Sequence, residues 1–234
     1  MCSSDLARSA SPGQDGLVIR GVLADWGHTL FDTADSVGFI ERWAADHHLP
    51  TTRTRIAELY TDAFARSRTG EELAKGRDKS SVAHRACWLG IWRDLEAELP
   101  GVAGALYEFE TGPAAWSPFI DTPGFLMALH ERGIPLVVIS DVTFDLRPMF
   151  DRHGLRHLVR EFFLSGEHGT VKAEGALFRM ALDTLALAPD EVLMVGDNPA
   201  NDGHAVYHGI RTLLLPLVTS GQPRGLGSVL QLIA

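Results

Sequence analysis

Cysteine is nearly missing from this chain: among 234 residues only Cys2 and Cys87 occur, far apart and without CxxC spacing. That excludes a disulfide framework and a zinc site, and it points to a reducing, cytoplasmic compartment. Positive charge is also in short supply, with 21 Lys and Arg against 30 Asp and Glu and a formal net charge of −9. Such a balance argues against nucleic acid or an anionic membrane surface as a partner. No apolar run approaches the roughly 20 residues needed to cross a bilayer. The first 16 residues are rich in Ser, Gly and Pro, lack an apolar signal core, and read as a mobile N-terminal tail.

Apolar residues, by contrast, make up 45% of the chain, enough for a large domain or a core with an insertion. The apolar run from Leu17 to Asp25 reads as a short buried strand. It carries Asp25 to its C-terminal end, breaks at Gly27 and continues as a hairpin-like segment through Thr33. In open α/β sheets ligands bind outside the carboxyl ends of the strands, so Asp25 stands where a reactive carboxylate would sit. From Ser36 to Trp116 the pattern becomes helical: apolar residues recur as Phe39, Ile40, Trp43, Ala44, then Ile56, Leu59, Tyr60, Phe64. This predicts a helical insertion at residues 36–116, between core segments 17–35 and 117–234, with linkers near Thr33 to Ser36 and Trp116 to Pro118.

Beyond the insertion, strands and helices alternate. Pro135 to Ser140 is a β-branched strand ending in Ser140-Asp141, and a short strand follows near Phe162 to Leu164. Lys172 precedes a helix at about Ala176 to Leu187; Val192 to Val195 is a strand ending in Gly196-Asp197. A helix is expected from Asp202, then a last strand at Thr212 to Leu215 and a short terminal helix. The alternation predicts an α/β fold: a Rossmann-like, doubly wound parallel sheet with an inserted α-helical domain.

Four polar positions now fall at strand ends or in nearby loops: Asp25 in Asp25-Trp-Gly-His-Thr29, Ser140, Lys172, and Asp197 with Asp202 in Gly196-Asp-Asn-Pro-Ala-Asn-Asp202. In that order, with helices inserted between the first and second, they resemble the four motifs of the haloacid dehalogenase superfamily, composed mostly of phosphatases. The resemblance covers residues 17–234 and implies that the insertion is a cap. It implies Asp25 as nucleophile and Asp197 as metal ligand, with Asp202 either ligating metal or bracing the Lys172 region. It also implies a Mg²⁺ cofactor and Trp26, Thr29, Ser140 and Asp141 as residues binding a small phosphorylated substrate.

The chemistry supports such a site. Three carboxylates at one sheet edge repel and raise one another's pKa unless a cation joins them. Carboxylate and phosphate oxygens suit octahedral Mg²⁺, which neutralises phosphoryl charge. A carboxylate can accept a phosphoryl group as an aspartyl phosphate. Lys172 offsets charge, while the Ser140 hydroxyl and nearby backbone N–H groups hold phosphate oxygens.

One departure stands out. The family's phosphatases usually carry Asp two residues after the nucleophile as general acid and base, worth typically 10²–10⁴-fold. Here that residue is Gly27, whose carbonyl can still ligate metal. Three readings follow: His28 or a cap residue supplies the proton, the leaving group needs little protonation, as in an acyl phosphate or phosphonate, or the protein binds a phosphometabolite with impaired catalysis. Two related branches are comparable. Haloacid dehalogenases share Thr-Leu-Phe-Asp (Thr29 to Asp32) but use no metal and lack Gly-Asp-x4-Asp. Phosphonoacetaldehyde hydrolases share an Asp-Trp start but need a cap lysine, and here only Lys75 and Lys79 are present, in a polar stretch from Glu71 to Ser81 that reads as solvated. His204 and His208 stand at i, i+4 without HExxH context and read as surface or packing residues. The leading expectation is a Mg²⁺-dependent hydrolase of a small phosphomonoester, monomeric or homodimeric.

Overall fold

The computed structural model describes residues 18–33 and 35–233, so the tail expected at residues 1–16 lies outside the described residues. Seven strands are present among them: β1 (Gly21–Ala24), β2 (Phe31–Thr33), β3 (Trp116–Pro118), β4 (Leu136–Ser140), β5 (Glu161–Leu164), β6 (Val192–Gly196) and β7 (Arg211–Leu214). Five of these form one parallel sheet in the order β5-β4-β1-β6-β7. Its central strands are apolar up to the polar residues at their carboxyl ends because both faces are covered. On β1, Val22 and Ala24 join one core with Phe125, Leu129 and Phe150, while Leu23 points into the opposite core with Ile139, Phe178 and Met194. The doubly wound α/β architecture expected from the sequence is therefore present.

From β1 the chain builds β4 and β5 on one side, then returns to lay β6 and β7 on the other. That reversal opens a crevice at the carboxyl ends of the strands beside β1. Ser140 ends β4 there, and Asp197 follows β6.

Helices occupy the chain from Ser36 to Glu110 and bury a separate core that includes Ile40, Ile56, Leu59, Trp92, Leu95 and Leu106. Polar residues open its first two long helices: the Asp35 side chain accepts from the Gly38 N–H, and Thr52 accepts from the Arg55 N–H. The two connections to the sheet domain pair antiparallel, Phe31 opposite Pro118 and Thr33 opposite Trp116. The hairpin-like segment expected near Gly27 is thus a tight turn, in which the Leu30 and Phe31 N–H groups both reach the Trp26 carbonyl at 2.9 Å. Its outgoing arm pairs with distant β3 instead of with β1.

Three local expectations shift. β1 starts at Gly21 and Val18 to Arg20 lie outside it, because among the described residues only those from Gly21 onward have ladder partners on β6. The helix expected after Asp202 is a 3-10 segment, Asp202–His208, with Gly203 and Gly209 weakening an α-helix there. Phe64, placed on the apolar helix face, is exposed beneath the Arg68 guanidinium. No helix among the described residues is long and apolar enough to cross a membrane.

Candidate active site

Asp25 follows β1 and extends its ladder, its N–H donating to the Val195 carbonyl at 2.9 Å. One oxygen of its carboxylate, Oδ1, accepts from Lys172 Nζ at 2.8 Å and from Ser140 Oγ at 3.2 Å. The same ammonium reaches Asp202 Oδ1 at 2.5 Å. Lys172 and Asp202 are almost wholly buried, and Asp25 is 8% exposed. The sheet therefore brings together the four positions that the sequence spreads over strand ends.

Asp202 accepts three hydrogen bonds, counting that from Lys172. Its second oxygen accepts from the N–H groups of Asp197 and Asn198, each at 2.9 Å. This wraps the loop after β6 around the carboxylate and explains Gly196, where a Cβ would lie 2.1 Å from Asp202 Oδ2. Of the two roles open to Asp202, the bracing one is what its hydrogen bonds perform.

Oxygens of Asp25, Asp197 and Asp202 lie within 4.8 Å of one another. Asp25 Oδ2 accepts no hydrogen bond among the described residues, whereas Asp197 Oδ1 is touched by Thr29 Oγ1 at 3.3 Å. Burial pushes the Asp25 carboxyl up to about 7, with Asp202 and Asp197 adding and Lys172 opposing. For Lys172, burial pulls the pKa down, but the carboxylates of Asp202, Asp25 and Asp141 outweigh it and hold the ammonium charged. One buried cation thus faces more carboxylates than it can neutralise. The all-oxygen donor set and this surplus negative charge fit a hard divalent cation.

The side chains of three residues expected to touch phosphate or substrate are engaged elsewhere. The Trp26 side chain is 1% exposed, turned into the core against Phe31, Trp116 and Phe144. Thr29 is fully buried and orients Asp197. Asp141 Oδ1 accepts from the Lys172 N–H at 2.8 Å, so it fastens the lysine loop to the end of β4. A second carboxylate so engaged beside Asp25 would repel a phosphate instead of holding it. His28 takes a left-handed backbone conformation (φ 56°), and its ring stands edge-on to Trp116, 6.3 Å between centroids.

Arg224, which sequence reasoning passed over, is a buried cation behind the nucleophile turn. Its Nε donates to the His28 carbonyl at 2.5 Å, Nη2 to the Leu215 carbonyl at 3.1 Å, and Nη1 to the Pro216 carbonyl. Asp121 fixes the Arg224, Gly225 and Leu226 N–H groups at 2.8–2.9 Å. In sequence it is a lone Arg between Pro223 and Gly225 with no periodic neighbours, and nothing there signals burial.

At position 27 the missing side chain leaves ordinary contact space: a Cβ would meet Trp116 ring carbons at 3.7 and 3.8 Å. The helical insertion meets the sheet domain through its short turn Arg77–Lys79. Ser165 Oγ donates to the Asp78 carbonyl, and Lys79 Nζ pairs with Glu174.

Comparison with known proteins agrees with this geometry. The family model for haloacid dehalogenase-like hydrolases matches residues 19–205. A phosphoserine phosphatase of Thermus thermophilus is 39% identical over 83 residues, 35% of this chain and 33% of that protein. The chain therefore matches about a third of that relative's length. A glyceraldehyde 3-phosphate phosphatase of Methanopyrus kandleri is 29% identical over 178 residues, covering 74% of this chain and 76% of that protein. Among solved structures, a putative hydrolase of Bacillus subtilis bound to magnesium superposes with TM-score 0.69 at 16% identity, over 92% of this chain and 99% of that one. An L-2-haloacid dehalogenase of Xanthobacter autotrophicus superposes with TM-score 0.65 at 17% identity, over 87% and 80%. These last two likenesses concern the fold.

Proposed function

The chain belongs to the haloacid dehalogenase-like hydrolase family, and within it we propose a Mg²⁺-dependent phosphatase of a small phosphomonoester, with Asp25 as nucleophile. The observation that carries this reading is Lys172 held between Asp25 and Asp202, with Asp197 beside them, four groups gathered in one crevice. Asp25 Oδ2, Asp197 and the Gly27 carbonyl are the oxygens that would hold the metal, since both Asp202 oxygens are occupied. Bound there, Mg²⁺ supplies charge neutralisation for the phosphoryl group.

The chain's own groups define the rest. Lys172 and Ser140 fix the Asp25 carboxylate through Oδ1 and so orient it for attack on phosphorus. Attack forms an aspartyl phosphate and expels the leaving alcohol; water then hydrolyses the acyl phosphate and restores Asp25. The helical insertion acts as the cap, closing over the crevice to exclude water and read the leaving group. The two phosphatase relatives support a substrate of similar size, so phosphoserine and glyceraldehyde 3-phosphate are the first esters to try.

A metal-free dehalogenase is less well supported, because Asp197 would then be a costly acid with no cation to serve. The phosphonate reading needs a desolvated cap lysine. Lys75 is instead 42% exposed and bound to Glu72, and Lys79 is 39% exposed and bound to Glu174. Phosphate release from a panel of small esters, with Mg²⁺ and with chelator, tests the assignment. Metal-dependent release from at least one ester is expected; release of halide from a 2-haloacid in chelator would overturn it.

Position 27 yields a further expectation. Its backbone lies outside the left-handed region and its Cβ space is ordinary, so Gly27→Asp should fold normally. Because any acid and base the chain uses must lie elsewhere, an Asp here should change kcat on an alkyl phosphate by less than about 10-fold, against the 10²–10⁴ that a missing group would restore. Steady-state kinetics decide; a rise of about 10²-fold or more would show that the wild-type site lacks an acid and base.

A further inference from the structure

The phosphatase reading leaves one chemical step unserved, the proton that the leaving oxygen must receive. Gly27 has no side chain to give it. The search for a substitute leads to the tip of the helical insertion, the short turn Arg77–Lys79. This turn is pinned onto the sheet domain at two points. The Ser165 hydroxyl bridges the Asp78 carbonyl and the Val142 carbonyl, the latter at 3.1 Å. Val142 is two residues beyond Ser140, the residue that touches Asp25. One residue on from Asp78, the Lys79 ammonium pairs with Glu174, on the 3-10 turn that begins with Lys172.

The backbone of the turn is therefore held at the two loops that carry Ser140 and Lys172, and the Asp78 carboxyl lies close enough to feel Asp141, the residue after Ser140. Its carboxylate is 28% exposed and takes one long contact at Oδ1, 3.3 Å from Arg77 Nε. The second oxygen has no protein partner among the described residues. Arg77 itself is anchored elsewhere, donating to the Ser67 carbonyl at 2.7 Å and lying over the Trp88 ring. Other charged groups around the tip are engaged: Lys79 with Glu174, Glu167 with Arg147, and Asp141 with the Lys172 N–H. His84, beneath Arg77, is buried between Tyr107 and Trp88, and burial with Arg77 pushes its pKa down to about 4, so it is neutral.

Resting on the phosphatase reading of this site, we propose that Asp78 is the general acid and base, supplied by the cap in place of the residue missing at position 27. As the Asp25 oxygen bonds to phosphorus and the P–O bond to the alcohol breaks, the Asp78 proton passes to the departing oxygen. The Asp78 carboxylate then takes a proton from the water that attacks the aspartyl phosphate. Inorganic phosphate leaves, Asp25 is regenerated, and Asp78 is protonated again. Burial and the neighbouring Asp141 favour the protonated form that the first step requires, while Arg77 opposes it.

The test is Asp78→Asn under rapid mixing with Mg²⁺, using p-nitrophenyl phosphate, whose leaving group needs little protonation, beside an alkyl phosphate. For p-nitrophenyl phosphate the variant should keep a burst of one p-nitrophenol per enzyme, slowed by less than about 5-fold, while its steady-state rate falls by about 10²-fold. With the alkyl phosphate no burst should survive. Asp78→Glu should recover part of both rates. A structural role would instead lower burst and steady state together, and that result, or no loss at all, overturns the assignment while leaving the phosphatase reading intact. A wild-type protein inactive on both esters overturns both.

Discussion

Asp25→Asn is expected to abolish phosphate release, with kcat falling on the order of 10⁴-fold or more, the scale seen when a nucleophile is removed. Its fold should be untouched. The amide oxygen can still accept from Lys172 Nζ and Ser140 Oγ, the two contacts that place the side chain. What disappears is a buried charge beside Asp197 and Asp202, one that burial already pushes toward its neutral form. The melting midpoint should therefore stay level or rise as activity vanishes, an opposition expected where a functional carboxylate is held against its own desolvation. A thermal melt beside a phosphate-release assay reads both. Retention of more than a tenth of the activity would place the nucleophile elsewhere.

Lys172→Met should have the opposite profile, losing stability and activity together. The ammonium is the one group that touches both Asp25 Oδ1 and Asp202 Oδ1, and it is 2% exposed. Removing it leaves two buried carboxylates uncompensated, a change that typically costs about 3–5 kcal/mol. In a domain of this size that is a fall in melting midpoint of roughly 6–20 °C. Because the lost interaction is shared, adding Asp202→Asn should recover part of the loss instead of adding to it. Additive losses in that double variant would mean that Lys172 is not held by Asp202. Mg²⁺ should narrow the deficit of the single variant by supplying a replacement cation.

The parallel sheet was legible because strands buried on both faces must be apolar throughout, and Leu136 to Ile139 and Val192 to Val195 read that way. The gathering of Asp25, Ser140 and Asp197 was legible for a related reason: a polar residue closing such a run has nowhere to go except the sheet's carboxyl edge. What a neighbouring residue does there was less legible. Trp26 and Thr29 share the nucleophile segment, yet its tight turn sends both inward, one to the core and one to Asp197. Asp141 follows Ser140 but is spent on a backbone N–H of a loop far along the chain. Arg224 and Asp78 were illegible because each gains its place only from long-range contacts, Arg224 with the His28 carbonyl and Asp78 with Ser165.

The helical insertion shows the same division. Periodicity reveals that residues such as Ile56 and Leu59 share a buried face. It carries no information on which end rests against the sheet, where the turn Arg77–Lys79 meets Ser165 and Glu174.

The most direct measurement is to find where phosphoryl transfer leaves its mark. The protein would be mixed with p-nitrophenyl phosphate and Mg²⁺, quenched in acid, reduced with borohydride and digested for mass spectrometry. Reduction of an aspartyl phosphate converts that residue to homoserine. Homoserine at position 25, dependent on Mg²⁺ and on substrate, is the predicted result. Turnover with an unmodified Asp25, or with the label at another residue, would contradict the account.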